Sequence, residues 1–116
     1  IFENAFHAMY IGIGDGRIIR FNEKLAALFE YSQLEITQND FSHLFDIYEK
    51  SFTHFLDQRR KQGIAKAEIT GIKKSGETFP CRISSVTYET DNGNKRFMNT
   101  IVNISKDPSA RWNIAV

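Results

Sequence analysis

Three histidines, one cysteine and a set of spaced glycines are the residues of this chain whose types could carry chemistry. His7, His43 and His54 stand at no metal-ligand spacing from one another. Cys81 is the single cysteine, so no internal disulfide can form, and its ordinary role is that of a small buried hydrophobe. Gly12, Gly14 and Gly16 alternate, but the pattern spans a strand end and a hairpin. A phosphate cradle needs a strand-to-helix turn with converging amides, so these glycines make no phosphate site. No Gly-x-Ser-x-Gly word occurs, and no pair of acids shares a face with a histidine. A small enzyme would need a convergent acid and base, and no residue pair here supplies them. The chain is therefore read as non-catalytic.

The elements that must position any site follow from punctuation and periodicity. Residues 8–13 are an apolar run of strand length, Gly14-Asp15-Gly16 is hairpin-turn chemistry, and residues 17–21 make a second strand. Asn22 is a helix N-cap, with Leu25, Leu28 and Phe29 on one face behind it. Asp40 caps a further short piece that turns Phe41, Leu44 and Phe45 inward. The longest helix is expected over residues 47–62. Asp46 and Glu49 form its capping box, Tyr48, Phe52, Phe55 and Leu56 its apolar stripe, and Gly63 its stop. Strands are expected over 64–74, 77–89 and 95–105, separated by Lys74-Ser75-Gly76-Glu77 and Asp91-Asn92-Gly93-Asn94. Alternation puts Phe79, Cys81, Ile83 and Ser85 on one face, and Pro80 must lie where its missing N–H is tolerated. Asp107-Pro108-Ser109 reads as an exit turn, and Arg111 to Val116 as the start of a connecting helix. Two strands, a block of helices and three strands make an α+β domain: a five-stranded antiparallel sheet with short helices on one face.

Composition sets the outer limits. The 116 residues fit one domain, here 1–106, with 107–116 as the start of a linker to an output domain outside this fragment. Apolar residues at 41 % and charged residues at 25 % are the balance of a water-soluble fold able to build one core. A formal net charge of +1 gives no long-range pull toward nucleic acid or an anionic membrane surface. The one basic cluster, Arg59-Arg60-Lys61, closes a helix, where cations complement its dipole. No apolar run approaches the roughly 18 residues of a membrane span. The lone cysteine suits a reducing, cytoplasmic compartment, including the cytoplasmic part of a membrane-anchored receptor. Ten phenylalanines against one tryptophan point to an aromatic core or a lining for a flat ligand.

Several words in this order resemble a PAS domain over residues 1–105. They are Gly14-Asp15-Gly16-Arg17-Ile18, then Phe21-Asn22 with Leu25, Leu28 and Phe29, then Tyr31-Ser32 with Leu34-Glu35. Lys73-Lys74-Ser75-Gly76-Glu77-Thr78-Phe79-Pro80 and Ile101 to Ser105 complete the set. The resemblance implies a bacterial sensory module that binds a small molecule or relays a signal by dimer rearrangement. Its effector, a histidine kinase or cyclic-dinucleotide enzyme, would lie outside this fragment.

Two residues depart from the family pattern. Glu30 stands where the family has a helix-ending glycine, so a glutamate is expected in the left-handed region. Asn103 replaces the family's aspartate, which ion-pairs the core to the exit helix; Asn103 can hydrogen-bond but cannot pair as an anion. Asn103-Ile104-Ser105 is also a glycosylation sequon, read as coincidental on a buried bacterial strand residue.

Some relatives hold haem through a histidine of the long helix. Here His54 falls roughly 145° from the centre of the apolar stripe, on the solvent face. His43 is likewise turned outward, and Glu49 stands at the ligand position, so haem is not expected. The light-sensing subgroup needs Asn-Cys-Arg where this chain has Asn39-Asp40-Phe41, which leaves only non-covalent flavin open and not favoured.

Alternation places Ile69, Gly71, Cys81, Ile83, Ser85, Asn99 and Ile101 on the sheet face that meets the helices. Leu28, Leu44, Phe52 and Phe55 face them, and together these residues are the candidate pocket lining. Gly71 and Ser85 are small enough to leave volume, and Asn99 and Ser85 could orient a polar ligand. The alternative is that phenylalanine rings fill the space and Asn99 is satisfied by backbone or water. On that alternative the chain is a ligand-free interaction and homodimerisation module. It would dock through Ile1, Phe2, Ala5 and Phe6 and through the outer sheet face.

Overall fold

The chain leaves the sheet at one edge and returns at the other. The computed structural model describes residues 5–38 and 40–106; the exit turn and connecting helix expected beyond 106, and Ile1 and Phe2, lie outside the described residues. Strands β1 (Ala8–Gly12), β2 (Ile18–Phe21), β3 (Ile64–Ile72), β4 (Thr78–Glu89) and β5 (Lys95–Asn103) form one antiparallel sheet in the order β2-β1-β5-β4-β3. Between β2 and β3 lie helices α1 (Glu23–Phe29), α2 (Gln33–Thr37) and α3 (Lys50–Gln62), with a 3-10 turn at Phe41–His43. Their apolar faces cover the inner sheet face, as the expected architecture requires. The strands end up to two residues short of the expected limits; between β3 and β4 a turn bond from Lys73 N–H to the Glu77 carbonyl takes over.

Asn22 joins the first hairpin to the helices. Its side-chain oxygen accepts from the Met9 N–H at 3.0 Å and the Leu25 N–H at 3.1 Å, and its amide donates to the His7 carbonyl at 2.9 Å. It is 1 % exposed, so one buried side chain caps α1 and ties it to β1 with every polar atom paired. α1 ends at Glu30, which holds φ 65° and donates its N–H to the carbonyls of Ala26 and Ala27. A side chain in this left-handed conformation costs about 1–2 kcal/mol. Lys73, 3.6 Å from the Glu30 carboxylate, places a cation beside it.

An aromatic spine fills the space between helices and sheet. Phe79, Phe29, Phe45, Phe52 and Phe55 follow one another at centroid separations of 5.4–6.1 Å, with Phe41 stacked on Phe52. Pro80 is tolerated because β5 has ended where its N–H would have pointed; Ile104 N–H donates to the Pro80 carbonyl instead.

The start of α3 differs from expectation. Glu49, not Asp46, is the N-cap, and it makes no capping bond. Its carboxylate instead accepts from the Thr70 N–H at 2.6 Å and the Thr70 hydroxyl at 3.1 Å, on the free edge of β3. Asp46 N–H donates to the Thr70 carbonyl and Ile72 N–H to the Leu44 carbonyl, so residues 44–49 close that part of the edge. Tyr48 therefore precedes the helix and is 90 % exposed rather than part of the apolar stripe. Asn103 is exposed rather than buried, and its side-chain oxygen accepts from the N–H and hydroxyl of Ser105.

Asn22→Ala is expected to lower the unfolding free energy by about 2–4 kcal/mol, because it removes a cap and strands buried donors. Asn22→Asp, which keeps both acceptor roles, should cost less; equal losses in urea titration would contradict the clamp. The second expectation concerns Glu35, which closes the α2 capping box with Ser32 and meets Lys74 at 2.5 Å. The Lys74 bond and then the Ser32 N–H draw its carboxyl down from 4.5 to about 2. A depressed folded-state pKa adds stability above the unfolded value that is lost as pH falls. The stability gap between wild type and Glu35→Gln should thus shrink from pH 4.5 towards pH 2, and also with added salt at neutral pH. A gap independent of pH would count against it.

Candidate functional site

The inner face of the sheet changes character along its length. One row, Ile83 on β4, Ile101 on β5 and Ala8 on β1, is wholly apolar. The next places Ser85, Asn99 and Tyr10 side by side, and the one beyond it Thr87, Phe97 and Gly12. Above these two rows, the last turn of α3 leaves a cleft of about 350 Å³ bounded by Phe41, Phe52, Phe55, Arg59, Phe97 and Asn99.

Asn99 is 1 % exposed. Its amide nitrogen donates to the Phe97 carbonyl at 3.1 Å, which fixes the orientation of the side chain. Its side-chain oxygen has no hydrogen-bond partner, and neither has the buried Thr87 hydroxyl. A buried acceptor left unpaired costs about 1–3 kcal/mol.

Arg59 lies across the Phe97 ring at 3.8 Å from its centroid and 5.7 Å from that of Phe55. One of its N–H groups reaches the Ser85 hydroxyl at 3.4 Å. Burial lowers the pKa of Arg59, and the neighbouring Tyr10 opposes this; a guanidinium so placed still keeps its proton. Burial raises the Tyr10 phenol above its ordinary range, partly offset by Arg59, so it too stays protonated at neutral pH. Arg60 and Lys61 turn outward and pair with Asp57. The basic cluster therefore divides: two members close the helix on its surface, while Arg59 faces the sheet. The clue lay in the sequence, since Arg59 falls seven residues after Phe52 and so continues the stripe of Phe52, Phe55 and Leu56.

Of the candidate lining residues, Phe52, Phe55, Ile83 and Asn99 border this cleft. Ser85 lies beneath Arg59. Leu44, Ile69, Cys81 and Ile101 are buried in the core away from it, and Leu28 is half-buried against that core. Gly71 leaves no room: a Cβ there would meet the Phe79 ring at 2.5 Å, so the ring occupies the space the glycine opens. Burial, with a smaller effect of Glu49, pushes the Cys81 thiol up to about 12, which holds it protonated. His43 and His54 are exposed, and the Glu49 carboxylate is engaged by Thr70.

The fold recurs in solved structures. The PAS domain of a protein from Colwellia psychrerythraea superposes with a TM-score of 0.80 at 20 % identity, over 90 % of this chain and 92 % of that one. A PAS domain from a two-component sensor histidine kinase gives 0.77 at 14 % identity, over 87 % of each chain. A light-oxygen-voltage domain studied with a flavin analogue gives 0.76 at 15 % identity, over 95 % of this chain and 86 % of that one. No curated protein matches the chain. A family model described as PAS domain matches residues 7–107, and the chain belongs to the PAS domain family.

Proposed function

We propose that this domain is a sensory module that binds a small molecule in the cleft between α3 and the sheet. Occupancy of the cleft would be passed to an effector outside the fragment, a histidine kinase or a cyclic-dinucleotide enzyme in a bacterial cytoplasm, without chemistry of its own. The observation that carries this reading is a 350 Å³ cleft lined in part by Asn99, a buried side chain whose oxygen has no partner. Native proteins pair nearly all buried polar atoms, so an unpaired acceptor on a residue that lines a cleft supports a partner bound there. The volume is at the lower end for ligand sites, which favours a compact molecule over haem or flavin.

A second reading rests on the outer face. Ile64, Val86, Met98 and Ile11 stand opposite one another on β3, β4, β5 and β1, an apolar row across four strands. Ile64 and Val86 are 58 % and 51 % exposed. This row supports a homodimer formed through the sheet, compatible with ligand binding on the other face.

Asn99→Leu should leave thermal unfolding within about 1 kcal/mol of wild type, because it removes an unpaired acceptor. It should also abolish the thermal shift produced by whichever member of a metabolite panel stabilises wild type. A loss of several kcal/mol would make Asn99 structural, and a wild type unmoved by the panel with no co-purifying mass in native mass spectrometry would remove the ligand reading. Val86→Glu should convert a dimer to a monomer in sedimentation velocity; wild type that sediments as a monomer at high concentration refutes the second reading.

A further inference from the structure

The charges around the cleft do not balance, although those of the whole chain nearly do. Arg59, Arg60 and Lys95 border it, and among the described residues lining it none is acidic. Arg60 has Asp57 as its partner. Arg59 has no carboxylate within ion-pair distance among the described residues, and its hydrogen bond to Ser85 is long at 3.4 Å.

Stacking explains how a cation can sit there. Arg59 lies over the Phe97 ring at 3.8 Å with Phe55 at 5.7 Å, and beyond its long bond to Ser85 its fork keeps further N–H donors that suit a planar carboxylate. Phe41, Phe52, Phe55 and Phe97 supply flat apolar walls. Asn99 lines the cleft, is 1 % exposed and keeps an unpaired side-chain oxygen, an acceptor suited to a donor on whatever fills the cleft. It belongs to the row adjoining Phe97, so donor and acceptor needs are met within one compact molecule.

We propose that the ligand is a small planar carboxylate bearing a hydroxyl or N–H group, its carboxylate held by the fork of Arg59 and its donor by the side-chain oxygen of Asn99. This rests on the sensory reading above and adds the chemical class of the ligand.

The test uses three molecules of one shape: 4-hydroxybenzoate, 4-hydroxybenzamide and 4-hydroxybenzylamine. Each is titrated into the isotopically labelled domain while the Arg59 Nε–H and Asn99 side-chain amide signals are followed. The acid should bind at least tenfold more tightly than the neutral amide, the amine should not bind, and both signals should move. Benzoate, which lacks the hydroxyl, should bind more weakly and shift Asn99 less. Arg59→Met should reduce the acid-to-amide ratio to about one, and Arg59→Lys should restore part of it. Equal affinity for acid and amide in wild type overturns the carboxylate assignment while leaving the cleft a ligand site, and that result needs no variant to fold. If none of the molecules moves either signal, the carboxylate proposal falls; if the metabolite panel and native mass spectrometry are also blank, the sensory reading falls with it.

Discussion

The connection from β2 to β3 joins opposite edges of the sheet, and everything between must cross one of its faces. Four inter-strand steps of about 4.8 Å make that traverse roughly 19 Å wide. Pairing of β1 with β5 at the centre brings the first and last strands into one ladder, and among the described residues the segment 22–63 covers the inner face. Asn22 sets the point of departure, and the phenylalanine spine follows the route across. The cover ends where α3 stops at Gly63. Beyond that point the rows holding Asn99, Thr87 and Phe97 have the side chain of Arg59 above them, and the cleft follows from where the crossing runs out.

The apolar and polar parts of the inner face divide the labour. Around Cys81, Ile83 and Ile101 the sheet is dry and tightly filled, and the Phe79 ring over Gly71 removes the last free space there. One row further on, buried polar atoms appear that the protein itself does not satisfy. Buried polar atoms left unpaired in this way lower the stability of the fold that carries them. Placing them beside a filled core confines the cost to one end of the sheet.

Much of this could be read from local chemistry. Asn22 as a cap and the turns at Gly16 and Gly76 are decided by neighbours in sequence, and each is found where the residues point; the left-handed Glu30 followed from the family pattern. Alternation along β3, β4 and β5 assigned the inner face correctly. What escaped was decided by contacts across the chain. Glu49 had the spacing of a capping box, but the free edge at Thr70 offered its carboxylate a stronger partner. Tyr48 stood at a helical interval from Phe52, yet periodicity cannot tell that the helix has not begun. Gly71 looked like empty volume because a sequence does not show which ring will fold over it. Arg59 was grouped with Arg60 and Lys61 by adjacency, whereas the helical interval from Phe52 carries it inward.

The closure of β3 by residues 44–49 bears on how copies of this chain can associate. A bare strand edge is a template onto which another chain can add, the route to runaway fibrils. Here the Ile72 end of that edge is occupied by Leu44, Asp46 and Glu49, and the remaining stretch carries the charges of Lys66 and Glu68. At the opposite border, Phe41 N–H donates to the Gly16 carbonyl and Arg17 bridges to Asp40, which shields the start of β2. Among the described residues, each border of the sheet therefore offers only a shortened bare edge to a further strand.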